Sequence, residues 1–297
     1  MNQFSLLSLS SLALEEVLKM MNPFDVVAFL KLSRKLKNIP RIYSWIFKQY
    51  LMVVNIDDES SSISLCGPVF GYKRILREDQ LKMLAEQVKE VFNIGIHRLI
   101  FSMHSWSIHN KQVLDWVLSI TRTMPSLALS GENVPHDDVE QILKEVKVTE
   151  RLELHHNNKD NKPLPIPKGL NFLSISDGQW VKLKDLEKFD YPKMLVWRTT
   201  IEKRDLNTFL KEWVESKNHQ NLRKLELAIN AVEDLEQILD GIEHVETNPN
   251  TILDLGEADS LVHSGWEIQR NDGTIASVFE VEYRTVLFAA VWVHPKT

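Results

Sequence analysis

A strand pattern recurs along the body of this 297-residue chain and limits the folds that the chain can adopt. Each copy places apolar residues around a central leucine, in the order apolar-x-x-Leu-x-apolar or a shortened form of it. The central leucines are 21 to 30 residues apart and lie at Leu99, Leu127, Leu152, Leu173, Leu195, Leu225 and Leu253. Between the strands, apolar residues recur every three or four positions at 113–120, 139–146, 206–214 and 235–242, which predicts amphipathic helices. Strands and helices that alternate in this way predict a parallel sheet with helices against its outer side.

The spacing of the central leucines resembles that of leucine-rich repeats, whose units are about 20 to 29 residues long. The asparagine that follows the strand in such repeats is present as Asn157 and Asn230 and is missing from the other copies. We therefore predict a degenerate, leucine-rich-repeat-like α/β domain. A compact two-layer α/β domain without a solenoid is the alternative, because parallel strands joined by helices are common to both.

The first 48 residues predict a small all-α module. Ser11 is placed to cap a first helix, which has apolar residues along one face and ends near Met21. Asn22 is placed to cap a second helix, with Pro23 at its first position and Asp25 in its first turn. So short a segment buries little surface, and apolar residues lie on nearly every side of the second helix. The module is therefore expected to need a partner.

Antiparallel strands are predicted at two places outside the repeats. Residues 51–56 and 63–66 predict a hairpin, and near the end of the chain strands are expected at 266–270, 274–281 and 286–293, with Asp272-Gly273 as a two-residue turn. The expected fold class is α/β, or α+β overall. Its parts are a helical module at 1–48, a connecting hairpin and helix at 49–95, and a leucine-rich-repeat-like α/β domain at 96–297 that ends in antiparallel strands.

Charge, cysteine content and motifs argue against several classes of function. A formal net charge of -6 supplies no basic field for a nucleic acid. Cys66 is the only cysteine in the sequence, so neither an intramolecular disulfide nor a cysteine-based zinc site can form. The common catalytic and phosphate-binding motifs are missing, and adjacent His155 and His156 would point to opposite faces of a strand. We expect a non-enzymatic protein that needs no metal or cofactor and has no nucleic-acid or membrane partner.

The N-terminal stretch and the longest apolar runs bear on location. The first 14 residues are apolar but contain no Lys or Arg, and they run into Glu15-Glu16 without a cleavage pattern of small residues. The longest strongly apolar stretch, 286–293, is far shorter than the ~20 residues that cross a bilayer. These features predict an intracellular protein, cytoplasmic or nuclear.

The helical module resembles an F-box, the motif that docks a protein onto the small adaptor of cullin-type ubiquitin ligases. The resemblance is carried by Phe4 to Leu9, Leu14, Val17-Leu18, Met21-Asn22-Pro23, Val26-Val27 and Leu32-Ser33-Arg34-Lys35. Ser10 stands where F-box sequences usually have a proline. From the apolar spacing of the two helices, we expect the adaptor-binding surface to consist of Leu9, Leu14, Leu18, Pro23, Val26 and Leu30.

The body of the chain resembles the F-box-associated domain found in large nematode families of F-box proteins. The resemblance is carried by 222–227 with the helix that precedes it, and by 268–276 followed by Val291-Trp292. The two modules in this order imply the substrate-recognition subunit of a cullin-type (SCF) ubiquitin ligase. Its implied partners are the adaptor, a cullin bound through the adaptor, and an unknown target protein. A protein-interaction scaffold outside ubiquitination is the alternative, whereas a small hydrolase or a nucleic-acid binder has no motif in its favour.

The residues between the leucines of each strand predict where the target binds. In a leucine-rich-repeat-like stack these residues point to the concave face and away from the core. The four that we expect to bind the target are Glu153, Val196, Glu226 and Asp254. Acidic residues recur in this set, and the segment 225–269 contains eleven acidic residues and no Lys or Arg. The bound segment of the target is therefore expected to be basic.

Overall fold

The structure of the protein is a computed structural model, and the chain divides into two compact units, Met1–Leu127 and Ala128–Thr297. The residues that the structure describes are 9–31, 44–57, 60–68, 70–102, 108–132, 134–229, 235–247, 261–283 and 286–294.

The helical part of the first unit contains α1 (Ser11–Met20), α2 (Pro23–Lys31) and α3 (Ser44–Phe47). Ser10 caps α1, because its Oγ accepts a hydrogen bond from the backbone N–H of Ala13 at 3.3 Å. The cap therefore lies one residue earlier than predicted. Asn22 caps α2 as predicted, and its Oδ1 accepts a hydrogen bond from the backbone N–H of Phe24 at 2.9 Å.

The sheet of the first unit joins a hairpin to a parallel strand. Strands β1 (Leu51–Ile56) and β2 (Ser61–Cys66) pair antiparallel, which confirms the predicted hairpin. Strand β3 (Gly71–Leu76) pairs with β2, and β4 (Ile96–Ser102) pairs parallel with β1. Sequence reasoning missed β3 because none of its side chains is buried, so the strand lacks an apolar stripe.

Helices α4 (Glu78–Phe92) and α5 (Ile108–Ile120) lie on either side of β4 along the chain. The end of α2 is joined to α4 by an ion pair between Lys31 and Glu90. Its beginning is joined to β3, where Asp25 accepts a hydrogen bond from Arg74 at 2.9 Å. The helical module is therefore packed against other elements of the first unit.

Helices and parallel strands alternate at the start of the second unit. The division between the units falls within β5 (Thr123–Gly131). The elements that follow are α6 (His136–Glu145), β6 (Lys147–His156), β7 (Phe172–Ile175), α7 (Leu183–Leu186), β8 (Lys193–Val196), α8 (Lys203–Val214) and β9 (Lys224–Leu227). Strands β6 to β9 lie side by side in chain order and are parallel. The predicted parallel strands are confirmed for this part of the chain, with a helix between β7 and β8 and another between β8 and β9, but the described residues between β6 and β7 form no helix.

Antiparallel strands complete the sheet of the second unit. Its remaining elements are a 3-10 helix (Leu235–Leu239), β10 (His244–Thr247), β11 (Leu261–Gln269), β12 (Ile275–Tyr283) and β13 (Val286–Val293). The strand order outward from β9 is β13, β12, β11, β10, with antiparallel pairing throughout. The predicted strands near the C-terminus are thus confirmed. The predicted strand at Leu253 lies outside the described residues, and β13 takes the place beside β9 that a further parallel strand would need.

The turn between β11 and β12 has three residues, 271–273, where two were predicted. The backbone N–H of Gly273 donates to the carbonyl of Arg270 at 2.8 Å, and the N–H of Arg270 donates to the carbonyl of Thr274 at 2.8 Å. Gly273 has a φ of 84°, in the left-handed region that glycine adopts without steric cost. Such a loop, with glycine at its left-handed position, is the usual form of a three-residue hairpin.

Candidate functional site

Most of the residues predicted to bind the adaptor are buried within the first unit. Leu18 and Val26 have 1% and 0% of their surface exposed, and Leu14, Pro23 and Leu30 are also buried. Leu9 is half-buried. Since α2 packs against α4, the apolar face that the helical spacing identified is covered largely by the chain itself. The expectation that this face stays open for a partner therefore does not agree with its burial.

Among the described residues of the helical module, three other large apolar side chains are exposed, and we call them the outer helical surface. Leu12 and Met20 of α1 have 70% and 85% of their surface exposed, and Trp45 of α3 has 54%. The Nζ atom of Lys19 lies 5.1 Å from the centroid of the Trp45 ring and so connects the two helices. The same Nζ atom lies 2.7 Å from Oε1 of Glu15, and this contact raises the pKa of Lys19. Leu12, Met20 and Trp45 are open to a partner in a way that the buried face is not.

Two of the residues predicted to bind the target share one face of the sheet in the second unit. Glu153 of β6 pairs with Ser174 of β7, Ser174 with Leu195 of β8, and Leu195 with Glu226 of β9. Paired residues of neighbouring strands place their side chains on the same side of a sheet. Glu153 and Glu226 therefore lie on a common face, three strand spacings apart.

The assignment of Val196 to this face is wrong. Val196 pairs with Leu227 on the opposite face and is fully buried, and Leu195 takes the position that was predicted for it. The strand reads Lys-Met-Leu-Val, so three consecutive apolar residues conceal the alternation. Because a shift of one residue moves every side chain to the other face, the phase cannot be read from such a run. Asp254 lies outside the described residues.

We call the exposed side of β6 to β9 the ladder face. Its residues are Arg151, Glu153, His155, Phe172, Ser174, Lys193, Leu195, Trp197, Lys224 and Glu226. The row nearest the start of the strands runs Arg151, Phe172, Lys193 and Lys224 and is continued by Trp292 of β13. The Arg151 guanidinium lies 3.8 Å from the centroid of the Phe172 ring, and Nζ of Lys224 lies 4.5 Å from that of Trp292. The row thus contains three cations and two aromatic rings, and the rings hold Arg151 and Lys224 in place.

The two carboxylates of the ladder face are largely buried and lie close to cations of the same face. Oε1 of Glu153 accepts a hydrogen bond from Nε of Arg151 at 2.5 Å. Oε1 of Glu226 accepts one from the indole N–H of Trp292 at 3.0 Å and lies 3.2 Å from Nζ of Lys224. The side chains of the two glutamates are 12% and 3% exposed. Their negative charge is therefore neutralised by neighbouring residues of the sheet and is not accessible to a partner.

The part of the ladder face next to β13 is apolar. Leu195 and Trp197 are half-buried and pack against a cluster that includes Ala228, Phe279 and Phe288. The Trp197 ring meets the Phe288 ring edge to face, with centroids 4.6 Å apart. An apolar strip therefore adjoins the row of cations.

A buried polar cluster lies where β6 and β7 end. Asp177, 3% exposed, accepts a hydrogen bond from the backbone N–H of Asn158 at 2.9 Å and one from Nε2 of Gln179 at 3.3 Å. His156 is also buried, and desolvation lowers its pKa to about 4 despite the nearby charge of Asp177. The imidazole is therefore neutral at pH 7, and neither of its nitrogens has a hydrogen-bond partner among the described residues. These contacts order the loop after each strand.

A groove of about 870 Å³ lies at the opposite ends of the strands and is bounded by the β11–β12 turn. Arg270, 5% exposed, organises that turn by donating hydrogen bonds to both carboxylate oxygens of Asp272, at 3.0 and 2.8 Å, and to Oγ1 of Thr274 at 3.2 Å. Its guanidinium also lies 5.1 Å from the centroid of the Trp213 ring in α8. These contacts hold the pKa of the Asp272 carboxyl well below its usual range. These contacts hold the turn against α8.

The described residues bear on two further classes of function. They contain no group of three or more His, Cys, Asp and Glu side chains placed to hold a metal ion. In the same part of the chain, no helix is both long enough and apolar enough to cross a membrane.

Comparison with known proteins identifies both modules. Residues 6–45 match the F-box domain family, and residues 165–227 match the F-box associated family. The comparison with curated proteins and the comparison with solved structures found no match. The first match covers α1 and α2, and the second covers β7 to β9 with the helices between them, which are three of the four ladder-face strands.

These two matches, in this order along one chain, are typical of proteins that bind other proteins. The two matches support an F-box protein with a C-terminal F-box-associated domain. Both families are adaptor and substrate-receptor families and are generally non-enzymatic.

Sequence reasoning missed several residues that build these surfaces. Arg151 and Lys224 were not assigned to the target-binding face, although each lies two residues before the position predicted for its strand, and Lys193 was not assigned either, although it lies two residues before Leu195. The signal available was the alternation itself, since residues two apart on a strand share a face. Leu12, Met20 and Trp45 could not be found in that way, because helical spacing does not tell which side of a helix its own chain will cover.

Proposed function

We propose that this protein is the substrate-recognition subunit of an SCF ubiquitin ligase. In this role the F-box binds the small adaptor, the adaptor binds a cullin, and the second unit binds the target protein. The observation that carries the proposal is the order of the two family matches along one chain, at 6–45 and then 165–227. The chemistry of ubiquitin transfer would belong to other subunits.

The adaptor is proposed to contact the outer helical surface together with the half-buried Leu9. An apolar side chain that is 70% or 85% exposed, as in Leu12 and Met20, contributes to binding when a partner removes it from water. The other predicted residues would then contribute indirectly, because they are buried and hold α1 and α2 in the correct geometry. These residues are Leu14, Leu18, Pro23, Val26 and Leu30.

The target protein is proposed to bind the ladder face, which takes the place of the concave face of a leucine-rich-repeat-like sheet. The support is that this side of β6 to β9 carries exposed or half-exposed polar and aromatic groups, while the residues that pair between these strands on the other side are buried. Glu153 and Glu226 would lie beneath the ladder face and support it, and would not contact the target directly.

Purification of the full chain co-expressed with the adaptor and a cullin tests the proposed ligase role. We expect both proteins to co-purify with the wild-type chain, and the double variant Leu12→Asp with Met20→Asp to lose them, because a charge on the outer helical surface opposes apolar contact. Met83→Asp is the matched control, since Met83 is 55% exposed on α4 and lies outside that surface.

The outcomes separate the candidate roles. If the wild-type chain brings down neither adaptor nor cullin, the ligase role is rejected and an interaction scaffold outside ubiquitination is favoured. If adaptor binding survives the double variant with the fold intact, the ligase role stands and the outer helical surface is rejected as its contact.

A further inference from the structure

We propose that the ladder face binds an acidic segment of the target protein. This inference rests on the proposed function, since it names the class of target that the second unit would recognise, and it reverses the basic segment expected from the sequence. It depends on which charges of the face are exposed and which are already neutralised.

The exposed charges of the ladder face are positive. Lys193 is exposed and forms no ion pair with another described residue, the side chain of Arg151 is 43% exposed, and that of Lys224 is 20% exposed. The two carboxylates are the buried partners of this set. An incoming segment therefore meets guanidinium and ammonium groups before it meets a carboxylate, and acidic side chains complement that charge.

The geometry of the cations suits an extended peptide. Neighbouring strands are ~4.8 Å apart, so the row from Arg151 to Lys224 spans about 14 Å. Four or five residues of extended chain cover that distance, at about 3.3 to 3.6 Å per residue. Arg151 and Lys193 are two strand spacings apart, and Lys193 and Lys224 are one. Acidic side chains spaced along such a peptide can reach all three cations.

The apolar strip favours a peptide over a nucleic acid. Leu195 and Trp197 lie beside the cation row, where a leucine or aromatic side chain of a peptide can be buried. The rings of the row, Phe172 and Trp292, already lie against Arg151 and Lys224, and Trp292 is 4% exposed. They are therefore not open platforms on which bases could stack. The net charge of the chain, -6, also disfavours a polyanionic phosphate backbone.

The test measures binding of defined probes to the full chain, without ligase components. The first probe is a fluorescein-labelled peptide of glutamates interrupted by leucines. The comparison probes are the same peptide with lysines in place of glutamates, the same peptide with glutamines, and a single-stranded oligouridylate. A second measurement selects binders from a random peptide library displayed on phage.

Two charge reversals make the test specific to the face. Lys193→Glu removes the exposed cation at the centre of the row, and Lys188→Glu makes the same change at an exposed lysine outside the ladder face. We expect the acidic peptide to bind more tightly than the other probes, and Lys193→Glu to weaken its binding about tenfold at low salt. Lys188→Glu should leave the affinity within about twofold. Peptides selected from the library should be enriched in Asp and Glu.

Several results would overturn the inference. These are tighter binding of the lysine peptide or of the oligouridylate, absence of binding by the acidic peptide, a selected set of peptides with no excess of acidic residues, or equal effects of the two reversals. None of these results bears on adaptor binding. Conversely, a chain that fails to co-purify with adaptor and cullin but binds the acidic peptide at the ladder face would keep the site and reject the ligase role.

Discussion

In both the helical module and the ladder face, residues predicted to contact a partner are not exposed, but the reasons differ. In both, the residues predicted to meet a partner are buried: Leu18 is 1% exposed in α1 and Glu226 is 2% exposed in β9. In the helices, the predicted face was real, but other elements of the same chain cover it. On the sheet, the predicted face does remain partly open, but its acidic residues are held by cations and by Trp292. A surface predicted from residue spacing can thus be buried by other elements of the chain. Alternatively, it can remain exposed while its predicted charges are neutralised by neighbouring residues.

The contrast matters for how each surface would be tested. A substitution at a buried position reports on folding, whereas a substitution at an exposed position reports on binding. The two kinds of residue are neighbours in both regions, so matched pairs of variants can separate the two effects.

The largest effect is expected from Leu18→Asp in the helical module. Placing an unpaired carboxylate at a position that is 1% exposed should lower the free energy of unfolding of the first unit by about 3 to 5 kcal/mol. Hydrogen exchange of the amides in α1 and α2 measures this loss. Leu12→Asp, at a position that is 70% exposed, should change the unfolding free energy obtained from the same amides by no more than about 0.5 kcal/mol. Equal losses at the two positions would remove the distinction between the buried face and the outer helical surface.

In the second unit, Arg270→Met is expected to lower the free energy of unfolding by about 2 to 3 kcal/mol. The substitution keeps an apolar stem against Trp213 but removes the hydrogen bonds that the guanidinium donates to Asp272 and to Oγ1 of Thr274. Chemical denaturation combined with hydrogen exchange of residues 270–274 measures the effect. If the unfolding free energy of the second unit is unchanged, the guanidinium of Arg270 does not stabilise the turn. Binding of the acidic peptide should persist wherever the variant remains folded, because Arg270 is not part of the ladder face.

Acid should destabilise the second unit through His156. An unfolded imidazole has a pKa near 6.5 and binds a proton below it, whereas burial lowers the pKa of His156 in the folded chain to about 4. The stabilisation is therefore complete above about pH 6.5 and is lost progressively as the pH falls toward 4, to a total of about 3 kcal/mol. Unfolding free energies measured from pH 7 to pH 5 should fall less steeply for His156→Gln than for the wild-type chain. His219, whose pKa is also lowered by burial, is present in both proteins and cancels in the comparison. Parallel curves would contradict the assignment.

The smallest effect is expected at the start of α2. Asn22→Ala removes the side-chain acceptor for the N–H of Phe24 and should cost about 1 kcal/mol, while Asn22→Asp, which keeps an acceptor, should cost only a few tenths. Thermal unfolding of the first unit measures both. If adaptor binding falls with Asn22→Ala but not with Asn22→Asp, the outer helical surface depends on the geometry of α2 as proposed.

Much of the local structure followed from the sequence. The cap at Asn22, the β1–β2 hairpin and the strands β11 to β13 were predicted from short-range patterns, and each depends on contacts between residues close in the chain. The errors have equally local causes. Ser10 rather than Ser11 caps α1 because two adjacent serines offer the same acceptor, and the turn at Asn271 takes an extra residue because glycine can adopt the left-handed conformation at its third position.

The sequence by itself determined which residues alternate, which helices are amphipathic and which family patterns the chain carries. Those properties depend on spacings of two and of about 3.6 residues, and a spacing is the same wherever the segment lies. The tertiary structure alone decided that α4 packs on α2, that β13 lies beside β9, and that Lys224 and Trp292 neutralise and cover Glu226. Burial and charge pairing involve groups that are distant in the chain. Glu226 and Trp292, for example, form a hydrogen bond although they are 66 positions apart in the sequence. No local pattern specifies such a pair, and so the open surface and the sign of its charge became known only when the strands were set side by side.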